Sequence, residues 1–153
     1  MSTLIQGDEL RTITQGTLVT RATSTVAADI DLFSIDGGRV LLLGFIGKVT
    51  TAIGGGSQDF VVLLDPDDGG SDVTVASLVA VDGDVVGTQY TLNTTGGGAL
   101  VPTLDVAYNA ILATPIVLTA GDLRLDVTGT EAGSVQWDAI YVPLDTGASL
   151  SAV

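Results

Sequence analysis

Near the C-terminus the chain reads Pro143-Leu144-Asp145-Thr146-Gly147-Ala148-Ser149. An Asp-Thr-Gly-Ala turn is where aspartic proteases carry a catalytic carboxylate. That chemistry needs two carboxylates close enough to share one proton, because two like charges a few ångströms apart cannot both stay ionised. It also needs a long run of sheet behind the turn, and only eight residues follow Asp145. A second copy would supply another aspartate and leave the scaffold short on both sides. The sequence therefore predicts that Asp145 sits in a turn leaving the last strand, a place where Asp-x-Gly is common.

Other groupings are weaker. Asp65-Pro66-Asp67-Asp68-Gly69-Gly70-Ser71-Asp72 gathers carboxylates as a calcium loop does, but Gly69 and Ala76 stand at the fifth and twelfth positions, where the helical-loop template needs oxygen ligands. A β-loop site from Asp65, Asp67 and Asp72 is the form such binding would take, and a solvated turn is the plainer reading. Gly54-Gly55-Gly56-Ser57-Gln58 lacks the Lys-Ser/Thr of a phosphate loop and reads as a loose hairpin connection. Asp82 and Asp84 could be imagined as paired glycosidase acids, yet nothing sets their separation. Trp137, Tyr141 and Tyr108 could stack on a sugar ring, although Trp137 and Tyr141 alternate in step with Val135 and Ala139 and so read as core.

No cysteine and no histidine occur in the 153 residues. Disulfides, thiolate nucleophiles, the usual zinc sites and histidine acid-base catalysis are thereby excluded. No residue is assigned a catalytic, cofactor-binding or metal-binding role, and the chain is not expected to be an enzyme.

The elements that hold these residues are legible as strands. In Asp122–Thr128 the residues Leu123, Leu125 and Val127 alternate with Asp122, Arg124 and Asp126, a half-buried strand. The same period places Val73, Val75, Val79 and Val81 on one face, and Val135, Trp137, Ala139 and Tyr141 on another. Segments 40–53 and 58–65 read as more fully buried strands. Glycine and aspartate turns separate them, Asp82-Gly83 as a two-residue hairpin. Nine or ten short strands predict an all-β fold, a single antiparallel β-sandwich of jelly-roll-like or immunoglobulin-like kind over residues 29–153. The best helical candidate, 104–112, has no clear cap. Residues 1–28, rich in Thr, Ser and Ala, read as an extended N-terminal arm that orders only against a partner, laid along a neighbouring subunit.

Composition points to assembly. Apolar residues make up 46% and charged residues 15%, and the mean hydropathy is +0.52, yet the longest apolar run, 40–47, is far short of the ~20 residues that span a bilayer. No membrane partner and no secretory signal are expected. A single domain this apolar is expected to bury surface against other subunits. Eighteen acidic residues against five basic ones give a formal charge of −13, which repels phosphate backbones and argues against nucleic-acid binding.

The runs 41–53 and 113–153 also resemble a recurring type of small tailed-bacteriophage virion protein. The matching residues are Val49-Thr50-Thr51-Ala52-Ile53, Thr114 to Gly121, Gly133 to Trp137 and Tyr141 to Ala148. The resemblance covers about residues 39–153. It implies a structural component, a capsid decoration or cement protein, and the charge of −13, which packaged phosphates would repel, leads to the expectation that it sits on the capsid exterior. Its expected partners are the major capsid protein and further copies of itself, as a trimer. The alternative is a tail or baseplate module that binds host carbohydrate. In this family pattern the Pro-Leu-Asp-x-Gly-Ala stretch is the exit from the last strand.

Overall fold

The computed structural model describes residues 7–92, 96–104 and 111–153. In it, period-2 alternation is converted into eleven strands: β1 Thr17–Thr25, β2 Ile30–Asp36, β3 Val40–Thr51, β4 Asp59–Pro66, β5 Val73–Ala80, β6 Thr88–Thr91, β7 Val101–Leu104, β8 Ile116–Leu118, β9 Gly121–Thr128, β10 Ser134–Pro143 and β11 Ser149–Ala152. One helix, α1 Gly7–Gln15, precedes them and buries none of its residues. All strand pairs are antiparallel, in a six-stranded sheet ordered β1-β10-β3-β6-β7, with β8 also on β3, and a five-stranded sheet ordered β11-β2-β9-β4-β5. The two sheets pack face to face as the expected β-sandwich.

The pairing follows a nested rule. β4 pairs with β5, β3 with β6 and β8, β2 with β9, and β1 with β10. The chain is thus one long hairpin, with its apex between β4 and β5, rolled so that successive pairs fall alternately in the two sheets. That is a jelly roll, with β11 added beside β2.

Both faces of the alternation are visible in β10. Val135, Trp137 and Ala139 are fully buried and Tyr141 nearly so, while Gln136, Asp138, Ile140 and Val142 are half-buried on the other side. The core is centred on Trp137. Its ring stacks on Phe45 at 5.0 Å and on Tyr90 at 6.3 Å, with Phe60 tilted at 6.3 Å, and Phe33 meets Phe45 edge-on. Such pairs add about 0.5–1.5 kcal/mol each beyond area burial. Directly opposite Trp137 in the ladder stands Gly47, where a Cβ would lie 2.6 Å from the indole. The missing side chain is what lets the large ring lie flat.

Several expectations are corrected. Residues 1–28 were expected to form an arm ordering only against a partner, but Gly7–Gln15 is helical and Thr17–Thr25 pairs with the chain's own β10, from Thr17 opposite Tyr141 to Thr25 opposite Ser134. The reason the pattern is faint is that no residue of β1 is fully buried, so backbone pairing holds it in place. Asp82-Gly83 is a turn, with Asp84 N–H bonded to the Val81 carbonyl, but it carries the chain from β5 in one sheet to β6 in the other. It therefore closes no hairpin. The 54–58 segment likewise crosses between sheets, from β3 to β4. Val73 is exposed although it stands opposite the buried Leu64, because it opens β5, the strand at the edge of its sheet. In β4 one face only is buried, Phe60, Val62 and Leu64. Most of the helical candidate 104–112 lies outside the described residues.

Replacing Gly47 by Ala should destabilise the fold by about 1–3 kcal/mol through overpacking, read by chemical denaturation. Gly55→Ala, where a Cβ meets nothing within 4 Å, should stay within about 0.5 kcal/mol of wild type.

Candidate functional site

Asp145 lies in the loop from β10 to β11, facing the β2–β3 turn. Arg39 grips it with three donors: Nε to Oδ2 at 2.9 Å, Nη2 to Oδ1 at 2.8 Å and the backbone N–H to Oδ2 at 2.8 Å. These bonds, the side-chain ones first, hold the carboxyl down at about 2. The Thr146-Gly147 turn closes with Ala148 N–H on the Asp145 carbonyl, and a Cβ on Gly37 would come 2.4 Å from the Gly147 carbonyl oxygen. Both glycines have positive φ, 72° and 86°. The two loops are thus clasped glycine to glycine with an ion pair beside them. A catalytic aspartate would share a proton with a second carboxylate; this one is ionised on a guanidinium.

The acid loop is organised by Arg124 of β9. Its Nε donates to Asp126 at 2.6 Å and its Nη2 to Asp72 at 2.8 Å, while Nη1 stands 3.7 Å from Asp65. Hydrogen bonding to Asp126 is the main cause of the guanidinium's raised pKa. Two of the three carboxylates considered for calcium therefore lean on a built-in cation. Among the described residues, no group of three or more acidic side chains is placed to hold a metal ion.

At the opposite end of the sandwich, Gln58 is fully buried and ties three segments together. Its Nε2 donates to the Val26 carbonyl, its Oε1 accepts from Glu131 N–H at 2.9 Å, and its own carbonyl accepts from Val81 N–H at 2.9 Å. Gly54 and Gly56 straddle the Glu131 carboxylate, each leaving space that a Cβ would take to within 2.0 Å of an oxygen. This gives the glycine triplet its use. Asp84 accepts from the buried Tyr90 hydroxyl at 2.6 Å, and burial first, then Asp84, raises the Tyr90 pKa. Asp82 is exposed. The two acids imagined as a glycosidase pair are a structural anchor and a solvated turn.

Trp137 is fully buried and Tyr141 is 8% exposed, so neither offers a ring to a sugar, and Tyr108 lies outside the described residues. Nothing in the sequence singles out Gln58 or Arg39. A lone Gln gives no warning of burial, and Arg39 is 106 residues from Asp145.

The outer surfaces of the two sheets differ in charge. The five-stranded sheet turns Asp31, Asp36, Asp59, Asp65, Asp122 and Asp126 outward around Arg124, with Val61 and Leu63 of β4 between them. The six-stranded sheet turns out Leu18, Leu41, Leu43, Val117, Ile140 and Val142, with Lys48 and Asp138 as the charges of β3 and β10 on that side. Val117 is 52% and Leu18 61% exposed. This apolar face is the candidate interface. Among the described residues no helix is long and apolar enough to cross a membrane. No protein-family model, curated protein or solved structure matches the chain.

Asp145→Asn should lower the thermal midpoint at pH 7. Because its folded pKa is depressed to about 2 from an ordinary value near 3.9, the stabilisation is present above about pH 4 and is lost as pH falls through about 2. The gap between wild type and variant should therefore close over that window. Gln58→Leu should cost about 1–3 kcal/mol for each buried group it orphans, the Val26 carbonyl and the Glu131 N–H, measured by denaturant unfolding.

Proposed function

We propose that this chain is a structural protein of a tailed-bacteriophage particle, a decoration or cement protein that lies on the outside of the capsid. The observation that carries the reading is the contrast between the two sheet faces. A broad apolar face wants to be covered, and burying it against a shell protein is worth roughly 25 cal/mol per Å² of apolar area removed from water. The aspartate-rich face is suited to solvent, and toward packaged DNA it would meet phosphate repulsion. The resemblance of 39–153 to small virion proteins supports the same reading. A jelly roll serves viral shells and lectins alike, so the fold does not choose between them; the contrast between the faces is what supports the shell reading.

Val117→Asp, on the apolar face, should leave the fold intact and abolish uptake of the purified protein by particles grown without it, scored by cosedimentation. Asp36→Asn, on the acidic face, should bind as wild type. Equal binding of Val117→Asp would sink the reading, and specific glycan binding without particle uptake would transfer it to the carbohydrate-binding alternative.

A further inference from the structure

The six-stranded sheet ends on one side at β1, and among the described residues no strand pairs with the outer edge of β1. Such an edge presents unpaired N–H and C=O groups, a template for another strand. The other edges are blunted. β7 is four residues long and contains Pro102, which has no N–H to donate. β11 is also four residues long. β5 is broken in register against β4, and its far side is met by 97–99, with Gly97 N–H on the Val75 carbonyl at 2.9 Å and Ser77 N–H on the Gly98 carbonyl at 3.1 Å.

β1 is shifted in register only near its end, between Arg21 and Ser24, and is otherwise unprotected. It is nine residues long, Thr-Leu-Val-Thr-Arg-Ala-Thr-Ser-Thr, without proline or glycine. Threonine and valine favour extended backbone, and Thr17 to Arg21 run in unbroken register before the shift ahead of Ser24. Its single charge, Arg21, is turned across to the five-stranded sheet, where Nε donates to the Asp31 carbonyl at 3.1 Å.

Charge identifies the occupant. Two copies at −13 each repel, so they meet most readily where acids are absent, and residues 10–28 contain no acidic residue. A second copy brings an edge of the same length, likewise free of acids. Placed about a two-fold axis it runs antiparallel, the sense in which the named strands pair with one another. We infer that β1 is the self-association strand, and that two copies pair their β1 edges to join two six-stranded sheets into one. The contact closes at two because each copy has one such edge. The axis stands perpendicular to the sheet, so both apolar faces point the same way. This rests on the assembly reading but puts a two-fold pair in place of the expected trimer, and its test uses the purified chain alone, so that loss of particle binding and loss of self-pairing are separate results.

The absence of cysteine makes the test clean. Single cysteines are placed at the exposed positions Leu18→Cys, Thr20→Cys and Ala22→Cys on one face of β1, with Thr74→Cys on β5 as the control. The expected result is a two-chain mass by sedimentation for wild type, with oxidative covalent dimers from at least one β1 variant and few from the control. A one-chain or three-chain mass would overturn the inference. So would a two-chain species that cross-links no better through β1 than through Thr74→Cys.

Discussion

The Trp137 indole has to be closed off from water between two sheets, and much of the architecture answers to that requirement. It lies in β10, beside the long central β3, and it fits because Gly47 opposite has no side chain. Phe45 and Tyr90 flank it, Phe60 comes from the facing sheet, and Tyr90 is fixed in turn by its hydroxyl on Asp84. The indole N–H meets no acceptor among the described residues, a cost of about 1–3 kcal/mol that the burial of so large a ring must exceed. The loops at either end, clasped by Arg39 with Asp145 and by Gln58, hold the sheets at the separation this stack requires.

The sequence revealed what repeats locally. Alternation in 122–128 and 134–142 placed every buried residue of β10 and the Asp122-x-Arg124-x-Asp126 row, from which the Arg124 pairing with Asp126 follows by same-face spacing. It could not reveal relations between distant segments. A turn dipeptide such as Asp82-Gly83 signals a reversal and is silent on which sheet the next strand joins. β1 was opaque for a different reason: an edge strand of threonine and serine with nothing fully buried has no apolar stripe to read. The candidate interface was legible only as an excess of apolar composition. Its location needed the register, because Val142, Leu41 and Val117 become neighbours through pairing rather than through spacing.

The two faces also explain how so acidic a chain holds together. Six aspartates on one sheet surface repel one another, and Arg124 is set among them where its guanidinium touches Asp72 and Asp126 together. The charge that remains is spread over strands and turns in contact with water, where salt screens it over about 10 Å. Interior and apolar face are thereby left almost without ions, and the fully buried Gln58 side chain has partners for both ends of its amide.

The rolled hairpin imposes an order in time. β4 and β5 are joined by a short loop, whereas Thr17 waits for Tyr141 and Gly47 for Trp137. Closing long loops costs entropy before any contact repays it. Consolidation therefore starts in the middle of the polypeptide and works toward its two ends. While the ribosome is still making the last third, the earliest-made strand has no ladder to join, and the nascent chain carries it idle until β10 emerges.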